Sequence, residues 1–313
     1  MSIPSVDLAE FLSGDPIRKN AFVQELGKAY EEVGFVAVKN HGVPDELIAD
    51  LYRYVQEFFS LPLEKKKNYE IAGLAGQRGY TSFGKEHAKG SDAPDLKEFF
   101  QYGQIARDNF KDELYPDNVR IQEVEIFNKT FDEAYRAFEI SGTALLQAIA
   151  LYLELPENYF DKYVYNGNSI LRAIHYPPII HEPASAIRAE QHEDINLITL
   201  LVGASADGLE ILSKQNEWVA VTSLPDQIVC NVGDMLQRLT NNKLISTTHR
   251  VVNPKRELWH TSRFSIPFFL HPRSSMSLKC LDICIDENHP IAYEDASAGE
   301  YLDERLREIG LKK

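Results

Sequence analysis

The chain has 313 residues, with 33 Lys and Arg against 47 Asp and Glu for a net charge of −14, and 44 % of it is hydrophobic. That acidity argues against a protein that coats nucleic acid, whose phosphates need a basic footprint. No run of about 18 apolar residues is present to cross a membrane.

Residues 1–7 lack both the basic start and the apolar stretch of a secretory signal. Three cysteines, Cys230, Cys280 and Cys284, form no CxxC pair. An odd set without such a pair suits buried free thiols, and the expected setting is the reducing cytoplasm.

Ile17, Phe22, Leu26, Ala29, Tyr30 and Val33 recur at mostly three- and four-residue steps and predict an amphipathic helix that Gly34 stops. Residues 35–38 read as a short buried strand and 40–44 as a turn. Pro44, Asp45 and Glu46 suit the first turn of a second helix, with Leu47, Ile48, Leu51, Val55, Phe58 and Phe59 on one stripe. Lys65, Lys66 and Lys67 read as the solvated end of a helix. Between residues 70 and 95, Gly73, Gly76, Gly79, Gly84 and Gly90 punctuate a polar stretch with few apolar anchors, the pattern of a mobile lid. Residues 96–102 look like a strand. The helical period returns over 119–153, long enough for two helices.

Beyond residue 169 short apolar runs follow one another: 169–176, 197–202, 209–212, 218–221, 228–232, 248–252 and 263–270. Turn signals such as Pro177-Pro178 and Asp207-Gly208 separate them. Many short strands at this spacing predict a sandwich or jelly roll. Residues 301–309 return to a helix.

Two constellations carry chemistry. His192 and Asp194 open a strand pattern, where residues two apart share a face, and His249 opens another strand 57 residues on. Two imidazoles and one carboxylate meeting inside a β-barrel form the facial triad that leaves positions open on a non-haem iron(II). The same three ligands suit a catalytic zinc. Arg263 and Ser265 share a strand face among Phe264, Ile266, Phe268 and Phe269. An arginine so placed, with a hydroxyl beside it, is a carboxylate receptor, since a buried unpaired charge is costly. Tyr176 could add a phenolic donor. Arg78, a cation in the glycine-rich loop, is a candidate for an anionic substrate. His41 reads as a turn residue. His175 should face away from Tyr176, and His87, His181, His260, His271 and His289 read as solvated.

The motifs occur in an order that resembles isopenicillin N synthase-like, iron(II)/2-oxoglutarate-dependent oxygenases. His192 to Leu201 is similar to their metal-binding strand, residues 171–178 to their strand ending in Tyr-Pro, and residues 231–242 to the segment before the distal histidine. His249-Arg250-Val251 and Arg263-x-Ser265 complete the set, and Glu32 to Phe35 and Asn40 to Val43 resemble the helical N-terminal region.

The resemblance implies a mixed α+β fold, a distorted double-stranded β-helix (jelly roll) flanked by helices. Residues 1–110 would be the N-terminal helical region, with some strands joining the core sheet, and 111–313 the connecting helices and catalytic core, in one compact unit. It implies Fe(II) on His192, Asp194 and His249, and 2-oxoglutarate with its far carboxylate on Arg263, Ser265 and Tyr176. O2 and a small organic molecule would be the other reactants, with succinate and CO2 released. One departure stands out: Ile174 occupies a position where many 2-oxoglutarate users have asparagine. The Arg-x-Ser pair also occurs in isopenicillin N synthase, which uses no 2-oxoglutarate. An oxidase of that type is therefore the alternative, and a non-catalytic jelly-roll metal binder the second.

Overall fold

The computed structural model describes residues 3–312 apart from 75, 88–93, 109, 111–114, 184, 204–205 and 223–225. The chain opens with β1 (Ser5–Asp7) and α1 (Leu8–Leu12), capped by the Asp7 carboxylate accepting from the Ala9 N–H. In α2 (Pro16–Glu32), Asp15 caps the start and proline takes the first turn. Gly34 ends that helix region with φ of 73°, and a Cβ there would lie 2.5 Å from the Ile245 carbonyl oxygen. Then come β2 (Phe35–Lys39), α3 (Asp45–Phe59), α4 (Leu63–Lys67), β3 (Gly79–Thr81) and β4 (Glu98–Gly103).

The helical period over 119–153 becomes one helix, α5 (Glu125–Tyr152), not two. Its internal Gly142 is no break. It lets the helix settle on the sheet, since a Cβ there would meet Leu270 Cδ2 at 2.8 Å. α6 (Asp161–Val164) leads into β5 (Ile170–Tyr176), β6 (Ala189–His192), β7 (Ile198–Val202), β8 (Leu209–Leu212), β9 (Trp218–Ala220) and β10 (Gln227–Val232). α7 (Asp234–Leu239), β11 (His249–Val251), β12 (Arg263–Leu270) and α8 (Ala298–Glu308) complete the chain.

The strands form a jelly roll of two sheets. One runs β1-β2-β10-β7-β12-β5-β4-β3, and the other β6-β11-β8-β9. Strand alternation gives the large sheet two different faces. Ile266, Phe268 and Leu270 of β12 join the helical core, with Phe268 stacked on Phe138 of α5 at 5.6 Å. Arg263, Ser265, Pro267 and Phe269 line a cavity between the sheets.

Two local expectations took account of apolar anchors alone. The stretch 70–95 has few apolar anchors but polar ones in their place. β3 pairs with β4, and the Glu86 carboxylate lies buried on Lys97. Residues 88–93, Gly90 among them, lie outside the described residues. Lys66 is not solvated. It is 7 % exposed, with Nζ 2.8 Å from both Glu98 carboxylate oxygens. An apolar count does not register anchoring by ion pairs.

Candidate active site

Cross-strand register brings the two histidines together. β11 pairs antiparallel with β6 so that His249 faces His192, with ring centroids 4.4 Å apart. Asp194 arrives differently from the expected strand alternation. β6 ends at His192, and Asp194 lies in the turn before β7. Thr199 Oγ1 donates to its Oδ2 at 2.6 Å and Asn231 Nδ2 at 2.8 Å, which fixes the carboxylate. Oδ1 is left 3.9 Å from His192 Nε2 and 3.7 Å from His249 Nε2.

Each imidazole is oriented from behind. His192 Nδ1 lies 2.7 Å from the Glu190 carbonyl oxygen and His249 Nδ1 3.1 Å from that of Thr247. An Nδ1–H donated to a carbonyl leaves the Nε2 lone pair free. One ligand atom from each of the three residues lies within 4.8 Å of the others. Burial, with His249 beside it, pushes His192 down to about 4. Burial alone would raise the Asp194 carboxyl, but His249 and His192 and the donors Asn231 and Thr199 outweigh it and lower it. Both directions favour a metal-ready state, neutral imidazole with an ionised carboxylate.

At another part of the cavity wall, β12 and β5 pair with Arg263 opposite Tyr176 and Ser265 opposite Ile174. Arg263 is 1 % exposed. Its Nε donates to the Ala206 carbonyl at 3.0 Å, and its Cζ lies 5.0 Å from the Tyr176 ring centroid. Among the described residues, Nη1 is buried without a hydrogen-bond partner.

Comparisons with known proteins identify the family. Residues 3–123 match the family described as non-haem dioxygenase in morphine synthesis N-terminal, and residues 167–272 match the 2OG-Fe(II) oxygenase superfamily. Proline hydroxylase buaE of Petromyces alliaceus is 34 % identical, with 98 % of this chain and 99 % of that protein covered. The chain belongs to the 2OG-Fe(II) oxygenase superfamily.

Solved structures extend the likeness. A 2OG-Fe(II) oxygenase family protein from Caulobacter crescentus has a TM-score of 0.87 at 40 % identity, covering 98 % of this chain and 99 % of that one. A Neurospora crassa protein solved with alpha-ketoglutarate and thymine has a TM-score of 0.85 at 28 % identity, over 97 % and 96 %. The chain is an Fe(II)- and 2-oxoglutarate-dependent oxygenase, and neither the oxidase without 2-oxoglutarate nor the non-catalytic jelly roll is favoured.

The oxygenase's residues fit both groups. Two imidazole nitrogens and a carboxylate oxygen are a suitable donor set for Fe(II). The orphaned Arg263 Nη1 is a donor awaiting an anion. Arg188 was missed in the sequence. It is 1 % exposed, donates from Nη2 to the Thr261 carbonyl at 3.0 Å, and lies with Cζ 6.0 Å from the Tyr176 ring centroid. Burial and the nearby Arg263 lower it to about 10. A lone arginine four residues before His192 gives no signal until the fold brings it to Tyr176.

Other expectations need correcting. Arg78 does not line the cavity. Its guanidinium covers Gly103, where a Cβ would lie 1.9 Å from its Cζ, and it donates to the carbonyls of Pro116 and Gln77. A glycine at that point of β4 leaves a slot that the arginine fills. His271 is not solvated but buried in the cavity wall, and burial pushes it down to about 4. His175 does turn away from the cavity to Glu98, 2.8 Å from Nδ1. His41 serves its own turn, accepting at Nδ1 from the Val43 N–H at 3.3 Å. From α8 and the residue after it, Leu302, Leu306 and Ile309 add an apolar rim. Among the described residues no helix is long and apolar enough to cross a membrane.

Proposed function

We propose that His192, Asp194 and His249 hold the Fe(II), and that Arg263, with Ser265 and Tyr176, holds the far carboxylate of 2-oxoglutarate. O2 is the co-reactant and a small organic molecule the substrate. The relatives' names support a compact substrate: one is a proline hydroxylase and another was solved with thymine. The three cysteines are free and buried, which suits a reducing compartment, and we place the enzyme in the cytoplasm.

The observation that carries the reading is the unpartnered Nη1 of a guanidinium 1 % exposed in the same cavity as the triad. A buried donor without an acceptor is costly, and a carboxylate supplies the acceptor with charge-assisted strength. When bound, Fe(II) with 2-oxoglutarate and O2 supplies oxidative decarboxylation to succinate and CO2, coupled to oxidation of a substrate C–H bond.

The chain's residues position and shield. Glu190 and Thr247 carbonyls hold the imidazole tautomers, and Thr199 and Asn231 hold one face of Asp194 so that Oδ1 points at the histidines. Arg263 fixes one end of the cosubstrate. Phe35 and Val251 line the wall around it, and Leu302 and Leu306 keep water from the rim.

Anaerobic titration with Fe(II) and then 2-oxoglutarate tests the assignment. A visible charge-transfer band is expected in the parent, together with slow succinate release in air. Asp194→Ala should lose both. Arg263→Ala should keep iron binding but weaken 2-oxoglutarate by roughly 30- to 5000-fold, the range for truncating one partner of a buried charged pair. A band unchanged in the Asp194 variant, or cosubstrate affinity unchanged in the Arg263 variant, overturns the corresponding role.

A further inference from the structure

The cavity also carries four charges that neither the metal nor the cosubstrate uses. Lys97 Nζ lies 2.6 Å from Glu86 Oε1 and 2.7 Å from Asp95 Oδ2. Arg172 on β5 reaches both Glu86 oxygens from Nη1 at 3.3 Å and donates from Nε to Gln101 Oε1 at 3.1 Å. Its Cζ lies 4.3 Å from the Phe99 ring centroid and 5.3 Å from that of Phe269, so two aromatic rings hold the guanidinium. Glu86, Asp95, Lys97, Gln101 and Arg172 line the same cavity as His192, Asp194 and His249.

Lys97 anchors Glu86 and Asp95 to the sheet, but that role does not account for Arg172. Burying charge pairs costs desolvation that apolar residues of similar size avoid. Nor are the four charges equivalent. Lys97 is neutralised by two carboxylates held at its ammonium. Arg172 engages only Nε and Nη1, and its Nη2 makes no hydrogen bond among the described residues. A stacked, oriented guanidinium with a free edge in a cavity is a donor for a ligand acceptor.

The cavity itself indicates the kind of acceptor. Around Tyr176, Arg188 and Arg263 are buried with no carboxylate paired to either among the described residues, as an anion site requires. Around Arg172, two cations face two anions and the charge is balanced. A second carboxylate there would meet Glu86 as a like charge in a dry wall. A neutral carbonyl meets no such opposition. Most of the remaining surface is apolar, with Ile170, Ile195, Phe269, Leu302 and Leu306, although Gln77, His87, Glu193 and His271 also line it.

We infer that Arg172 is the substrate-recognition residue, and that its ligand is the neutral carbonyl of an amide, lactam or ureide on a compact, otherwise apolar molecule. The inference rests on the oxygenase reading above and names the substrate class of that site.

The test uses the Fe(II)-loaded full chain with 2-oxoglutarate and matched probes: 2-pyrrolidone, hydantoin and uracil against cyclopentanecarboxylate. Succinate release in air and the thermal shift of the anaerobic complex are read for each. The neutral probes should raise both above the probe-free level and the carboxylate should not. Arg172→Gln should weaken the response to neutral probes by at least about tenfold, the loss expected for a hydrogen bond from a charged donor. Arg172→Lys, which keeps a cation for Glu86, should recover part of it.

The 2-oxoglutarate band is recorded on every variant. A parent without that band fails the oxygenase reading itself. A parent with the band that answers better to the carboxylate, or to none of the neutral probes, overturns the substrate class. An Arg172→Gln protein that shows the band and answers like the parent overturns the role of Arg172.

Discussion

Arg188 and Arg263 share one aromatic ring: their guanidinium carbons lie 6.0 and 5.0 Å from the centroid of Tyr176, and each keeps one buried nitrogen without a partner among the described residues. Two cations that close repel each other, and burial deepens the repulsion. The arrangement is unfavourable in the free protein and favourable once an anion arrives, so the pair is poised for an anionic ligand.

Arg188→Gln should therefore move two properties in opposite directions. Without cosubstrate, the variant should unfold at higher denaturant than the parent because a buried like charge is gone. Its affinity for 2-oxoglutarate should fall on the order of tenfold, about the value of one charge acting through an effective dielectric near 20 at roughly 12 Å. Calorimetric titration of the anaerobic, metal-loaded protein reads the second effect and urea unfolding the first. A variant that is both less stable and unchanged in affinity would mean that Arg188 only packs.

Asp194 is positioned by neighbours as much as by its own turn. Asn231 comes from β10 and Thr199 from β7, and both donate to the same carboxylate oxygen. Removing the amide in Asn231→Ala lets the carboxylate rotate away from the histidines. Iron affinity should fall by roughly 10- to 100-fold, the usual effect of losing a group that orients a metal ligand. Competition with a coloured chelator measures it, and an unchanged constant would show that Thr199 alone suffices.

Arg78 leads to a prediction contrary to its sequence reading. Because its guanidinium fills the slot over Gly103 and bonds two carbonyls, Arg78→Ala should destabilise the fold by about 1–3 kcal/mol, leaving the Pro116 and Gln77 carbonyls unpaired. Substrate and cosubstrate affinities measured well below the melting temperature should stay near those of the parent. A large loss of affinity in a stable variant would return Arg78 to the site.

What the sequence showed depended on the kind of signal. Short apolar runs marked β5, β10 and β12, and a helical stripe marked α3, because burial gathers apolar residues into such elements. The triad and Arg263 were legible as residue types at a spacing. Asp194 meets the two histidines by a route other than strand alternation, since a turn held by Thr199 and Asn231 aims it, and no local period encodes partners 5 and 37 residues away. Lys66, Glu86, Lys97 and Arg172 were illegible for a related reason. Charged residues read as solvated until the fold pairs them. Arg172 and Glu86 are 86 residues apart, and only tertiary contact reveals the pair.

A buried carboxyl between α8 and the turn that carries Asp194 makes stability depend on pH. Tyr301 of α8 donates to Asp234 Oδ2 at 2.7 Å, and the Asp234 N–H donates to the Asp194 carbonyl at 2.8 Å. Burial pushes the Asp234 carboxyl up to about 7. The Tyr301 hydroxyl and Arg305 oppose the rise, and Glu193 and Asp194 add to it. In an unfolded chain the group titrates near 3.8, so the folded state binds this proton more tightly. The stabilising contribution is complete below about pH 3.8 and is lost as the pH rises through about 7. Asp234→Asn imitates the protonated carboxyl at every pH and keeps an oxygen for Tyr301. The variant should match the parent near pH 3.5 and exceed it near pH 8, by up to about 4 kcal/mol. Urea unfolding at the two pH values measures the difference. An Asn variant that loses stability at pH 8 would show that the carboxylate is ionised and paired in the native protein, with Arg305 as the group holding it.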